Sequence, residues 1–92
     1  MILKAWDKSM NFAEEKPLKS LIKIRPRKSA KIIRIAGGKN ARLILGQLGI
    51  GVGSEVKVLR NAPFAGPILL ENSGTSVAIG RGIAAKIIVE EI

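Results

Sequence analysis

The sequence predicts a small, mainly β domain with one or two short helical inserts, and three observations lead there. Five short runs rich in valine and isoleucine stand at residues 29–36 (SAKIIRIA), 55–60 (EVKVLR), 68–71 (ILLE), 75–79 (TSVAI) and 86–90 (KIIVE). Glycine, asparagine or proline separates them, and strands this short at this spacing suggest a closed five-stranded barrel. The 92 residues fit one domain with a modest core, since a chain of this size buries roughly 60% of its unfolded surface.

The elements follow in order. Residues 1–16 form an N-terminal extension ahead of a domain over residues 17–92. Within the extension Ile2, Trp6, Met10 and Ala13 recur at a four-four-three spacing. That pattern fits a frayed tail or a short amphipathic helix docked on the barrel, or, as the sharper reading, such a helix for a membrane surface or a partner. After the first strand, Gly37 and Gly38 precede Asn40, a favoured N-cap residue, and Ala41, Leu45 and Leu48 mark one helix face. Gly49 closes this helix, because a left-handed residue there costs glycine almost nothing. Gly46 lies in its interior, at a cost of about 1 kcal/mol relative to alanine.

In the strand at residues 55–60, Val56 and Val58 alternate with Glu55, Lys57 and Arg60, which puts one face in the core and the other in water. Pro63 and Pro67 bracket a loop and fix its φ angles while removing two N–H donors. The segment Asn72-Ser73-Gly74 reads as a hairpin turn, and a single helical turn fits between Arg81 and Ala85.

Charge is distributed unevenly. The net charge is +9, and residues 1–42 hold twelve Lys and Arg against three acids, whereas residues 43–92 hold four of each. Lys23, Arg25, Arg27, Lys28, Lys31 and Arg34 lie within an acid-free stretch. They form a candidate approach surface for something negative, whether nucleic acid, an acidic protein face or an anionic membrane leaflet.

The residue inventory excludes several functions. The chain has no cysteine and no histidine, which removes disulfides, thiolate chemistry, imidazole ligands and the commonest general base. The seven carboxylates are dispersed, so neither acid–base catalysis nor a tight metal site is expected, and no cofactor. Glycines 46, 49, 51 and 53 suggest a phosphate loop, but no Gly-Lys-Ser/Thr follows them. No run reaches the roughly 18 to 20 apolar residues of a membrane span, and the N-terminus lacks a secretory layout; a cytoplasmic location is expected.

Several segments together resemble the FeoA family. They are PLKSL at 17–21, the 29–38 strand ending in Gly-Gly, the helix with Arg42, Leu45 and Leu48-Gly49, the Gly53-Ser54-Glu55-Val56 turn, and above all APFAGPI at 62–68. The resemblance covers roughly residues 17–90 and implies an SH3-like barrel. It further implies a non-catalytic, cytoplasmic accessory of bacterial ferrous iron uptake whose partner is FeoB, a membrane transporter with a cytoplasmic G-protein domain. Three departures stand out: Ala65-Gly66 where the family usually carries a glycine and an acid, Leu43-Ile44 where it is often polar or basic, and Gly46 at a leucine position.

The candidate contact residues are Arg42, Leu43, Ile44 and Gln47 on the helix and Pro63, Phe64 and Pro67 in the loop. Leu43 and Ile44 either bury the helix on two sides or expose an apolar patch. Phe64 is either an anchor at the loop tip or part of the core. The alternative function is a small basic barrel that binds nucleic acid through residues 16–42. Only Trp6, Phe12 and Phe64 offer stacking platforms and no base-reading motif is present, so no specific nucleic acid is expected.

Overall fold

The computed structural model describes residues 17–61 and 66–92. The predicted N-terminal helix, and the roles weighed for Pro63 and Phe64, lie outside the described residues. The elements are β1 (Leu18–Ser20), a 3-10 turn (Leu21–Lys23), β2 (Ser29–Ile35), α1 (Gly38–Gln47), β3 (Glu55–Asn61), β4 (Ile68–Asn72), β5 (Thr75–Ile79), α2 (Arg81–Ala84) and β6 (Ile87–Glu91).

The mainly β class with short helical inserts is what the structure has. All five predicted strands are present within a residue or two, and the single helical turn after Gly80 is α2. The sheet, however, has six strands, ordered β1-β6-β2-β3-β4-β5 with every neighbour antiparallel. The added strand, β1, has the sequence LKS, and its one apolar residue, Leu18, faces solvent, so it carries no hydrophobic period. Among the described residues β1 and β5 do not pair, and the sheet stays open where a closed barrel was predicted. The cause is local. β1 spends its three residues on β6, and the chain then turns away into the 3-10 turn, where Ser20 Oγ accepts from the Ile22 N–H.

One side of the sheet forms the core. Ala30, Ile32 and Ile35 of β2, Val56 and Val58 of β3, Ile68 and Leu70 of β4, and Ile87 and Val89 of β6 are buried. Leu21, Ile24, Ala41, Leu45, Ile50 and Ala84 cover them from the turns and helices. Burying each large aliphatic side chain contributes about 1.5 to 3 kcal/mol, and this term holds the sheet and its helices together.

Two bulges break the strict alternation. One interrupts β2 between Ile32 and Arg34, the other β3 between Val58 and Arg60. In an unbroken strand Arg60 would share the buried side of Val56 and Val58; the extra residue, Leu59, resets the parity and Arg60 is exposed. Arg34 is turned outward past buried Ile32 in the same way. The β4–β5 turn is a two-residue hairpin in which Ser73 (φ 52°) and Gly74 (φ 82°) are both left-handed and Asn72 faces Thr75, the type I′ pattern.

Candidate interaction surface

Helix α1 begins two residues before the predicted cap. Asn40 lies inside its first turn, and the cap position is Gly37, which has no side-chain capping bond. The start is made by the glycine pair instead. Gly38 has φ +78°, a conformation that L-residues rarely adopt, and a Cβ on Gly37 would stand 2.7 Å from the Cβ of Ala41. At the other end Gly49 is left-handed as predicted, and the Ile50 N–H donates to the Leu45 carbonyl.

Only Ala41 and Leu45 of the helix are buried. Leu48, expected on the same face, is 39% exposed because it already occupies the C-cap. Leu43 is 59% and Ile44 43% exposed, so the helix packs on one side and presents apolar side chains on the other; Arg42 and Gln47 are exposed beside them. Val52, which sequence reasoning passed over, is 67% exposed in the loop that follows. No periodic signal marks it, since it sits in a glycine-rich turn.

The proline-bracketed loop leaves the sheet elsewhere. Pro67 is exposed, and Asn72, at the far end of β4, donates from Nδ2 to the Gly49 carbonyl at 3.1 Å. The exit of α1 and the end of the loop are thus separated along β4 by about 17 Å, at roughly 3.4 Å per residue. The helix residues and Pro67 form two patches rather than one.

A polar junction holds the base of the loop. Asn61 Nδ2 donates to the carbonyls of Ile22 (2.9 Å) and Ile24 (3.1 Å), and Asn61 Oδ1 accepts from Arg81 Nη2 (2.9 Å). Arg81 Nε donates to the Gly66 carbonyl at 3.2 Å. Asn61 and Gly66 flank residues 62–65, so one guanidinium joins both ends of that segment. Sequence reasoning missed this junction, because neither residue type nor spacing links two side chains 20 positions apart.

The six residues of the basic approach surface are not equivalent. Lys31 stands in register between Glu55 and Glu90, and on an antiparallel sheet such neighbours share a face. Lys57 faces Glu71 in the same manner, and Lys19 Nζ forms a 3.0 Å ion pair with Glu91 Oε1. Arg34 lies near the other end of β2, opposite Ile88. Lys23, Arg25, Arg27 and Lys28 are all exposed around one turn, which hydrogen-bonds to Val58 of β3, two residues from exposed Arg60.

Among the described residues no group of three or more acids gathers in a way that could hold a metal ion. No helix among them is long and apolar enough to cross a membrane.

Comparison with known proteins fits this geometry. The chain is 43% identical over 58 residues to "Putative Fe(2+) transport protein A" of Methanocaldococcus jannaschii, an alignment covering 63% of this chain and 68% of that one. It superposes on a crystal structure described as iron uptake regulatory protein (FeoA) with a TM-score of 0.74 and 30% identity, over 83% of this chain and 99% of the other. A manganese-dependent transcriptional repressor superposes with a TM-score of 0.76 at 24% identity, over 84% of this chain and 43% of the repressor, a likeness of fold alone. The family model of the FeoA domain matches residues 19–91, and the chain belongs to the FeoA family.

Proposed function

We propose that this protein is a non-catalytic accessory of Fe(2+) transport that binds a FeoB-like transporter at its cytoplasmic face. Membership of the FeoA family and the Fe(2+) transport protein among the relatives support the role in transport. The observation that carries the binding reading is the exposure of Leu43 and Ile44 on α1, with Leu48 at its C-cap and Val52 in the loop that follows also exposed. Apolar side chains grouped on one helix cost solubility unless a partner covers them. Arg42 and Gln47 supply a polar border, and the loop closed by Pro67 is a second contact. The protein works in the cytoplasm, close to the membrane.

The test is a titration of the transporter's cytoplasmic region with the full chain and with a Leu43→Ser, Ile44→Ser double variant. Saturable binding that the double variant loses supports the proposal. Absence of binding, or binding indifferent to these two residues, overturns it.

A further inference from the structure

The turn at residues 25–28 carries a conformational cost that its sequence need not bear. The Lys28 N–H donates to the Arg25 carbonyl at 3.2 Å, Pro26 occupies the second position, and Arg27 has φ +76°. This is a type II turn, whose third position calls for glycine or asparagine, and an arginine held there is strained by its Cβ. The backbone has no freedom to relax. Arg27 N–H donates to the Val58 carbonyl at 2.7 Å, and Val58 N–H donates to the Lys28 carbonyl at 2.9 Å, so the turn is pinned to β3. Strain kept at an exposed, charged position points to use of the side chain.

The surrounding charge agrees. Lys23, Arg25, Arg27 and Lys28 are exposed, and Arg60 is exposed on β3 two residues beyond Val58, to which the turn is bonded. The bonds from Asn61 Nδ2 to the Ile22 and Ile24 carbonyls hold Lys23 against the end of β3 that bears Arg60. The carboxylates of the sheet stand with other cations: Glu55 and Glu90 beside Lys31, Glu71 beside Lys57 and Glu91 on Lys19. Arg60 stands opposite Leu69, and the four turn cations lie outside the strands, where no register sets an acid against them.

We infer that the turn at residues 25–28, with Lys23 and Arg60, docks on the anionic headgroups of a lipid bilayer. Its cations spread over an exposed turn, an arrangement suited to a flat array of phosphates. Ile92 is exposed beside it, its N–H donating to the carbonyl of Ser29, and adds an apolar fringe that can enter the headgroup layer. None of the described residues is aromatic, so the turn has no platform among them on which to stack bases. The inference does not depend on the transporter, because the α1 patch takes no part in it.

The experiment is co-sedimentation of the full chain with phosphatidylcholine vesicles, with and without phosphatidylglycerol, at physiological salt. Binding is expected only with phosphatidylglycerol, weakening about fivefold for each cation removed from the turn. Arg27→Gly should show that loss while its thermal midpoint stays level or rises, since glycine relieves the left-handed strain. Lys31→Gln, which removes a cation flanked by two carboxylates, and the Leu43→Ser, Ile44→Ser variant should both bind as the parent does. Equal binding to neutral vesicles, binding unchanged in Arg27→Gly, or a lower midpoint in that variant would each overturn the proposal. So would duplex DNA or RNA displacing the vesicles through the same turn.

Discussion

Asn61 and Arg81 meet through a 2.9 Å hydrogen bond, and between them they touch both ends of the segment that carries the family's proline motif. The amide of Asn61 is used on both sides, since its nitrogen serves two carbonyls of the 22–24 turn while its oxygen takes the guanidinium. The end of β3, one turn and one helix are therefore joined by a single side chain.

Replacing that side chain should be costly. Asn61→Ala leaves the Ile22 and Ile24 carbonyls and one Arg81 donor without their partner in a partly buried setting, and a loss of about 1 to 3 kcal/mol is expected from urea unfolding. A change within about 0.5 kcal/mol would show that water replaces the amide fully.

Gly46 inside α1 and Gly37 at its cap should respond to alanine with opposite sign. Gly46 has open space where a Cβ would go and no positive φ, so Gly46→Ala should stabilise the protein by about 0.5 to 1 kcal/mol. Gly37→Ala drives a methyl to 2.7 Å from the buried Ala41 Cβ and 2.9 Å from Lys86 Cδ. The lysine chain can swing aside and the helix cannot, so a loss of about 1 to 3 kcal/mol is expected. Denaturant midpoints of the pair read both effects.

The β4–β5 hairpin can be improved. Ser73 holds φ 52° ahead of Gly74 in a type I′ turn, where asparagine is the preferred residue. Ser73→Asn should raise stability by a few tenths to about 1 kcal/mol, seen as a higher thermal midpoint with an unchanged circular dichroism spectrum.

The exposed side of α1 should be nearly neutral for folding. Leu43→Ser with Ile44→Ser should change unfolding free energy by less than about 1 kcal/mol, because surface substitutions are usually within about 0.5 kcal/mol each. A larger loss by denaturant titration would mean that these side chains support the fold rather than a partner.

Where the chain alternates or punctuates itself, its structure could be read ahead. The five valine- and isoleucine-rich strands, the Gly49 helix stop and the Ser73-Gly74 turn all rest on local chemistry. Strand β1 could not be read, because Leu18 faces water and its pairing partner lies 70 residues away. The helix start shifted from Asn40 to the glycine pair because the left-handed Gly38 and the crowding of Gly37 by Ala41 and by Lys86, distant in sequence, decide it. At the candidate surface Leu43 and Ile44 were visible as residues, but their exposure depends on the sheet covering only the Ala41 and Leu45 side. The division of the basic residues was illegible for a related reason. Strand register, not composition, gives Lys31 its carboxylates and leaves Arg27 without one in register.

Strand β6 lies between β1 and β2, so the last strand to be synthesised is the one that joins the first two. A nascent chain can form the β2 to β5 portion as soon as those residues emerge, yet β1 has no sheet partner until Ile87–Glu91 is free. Folding then closes the longest loop among the described strands last, and such non-local pairing slows two-state folders toward milliseconds or longer. Premature termination before β6 would release both β1 and an unpaired side of β2 at once, giving truncated products two open edges for aggregation or proteolysis.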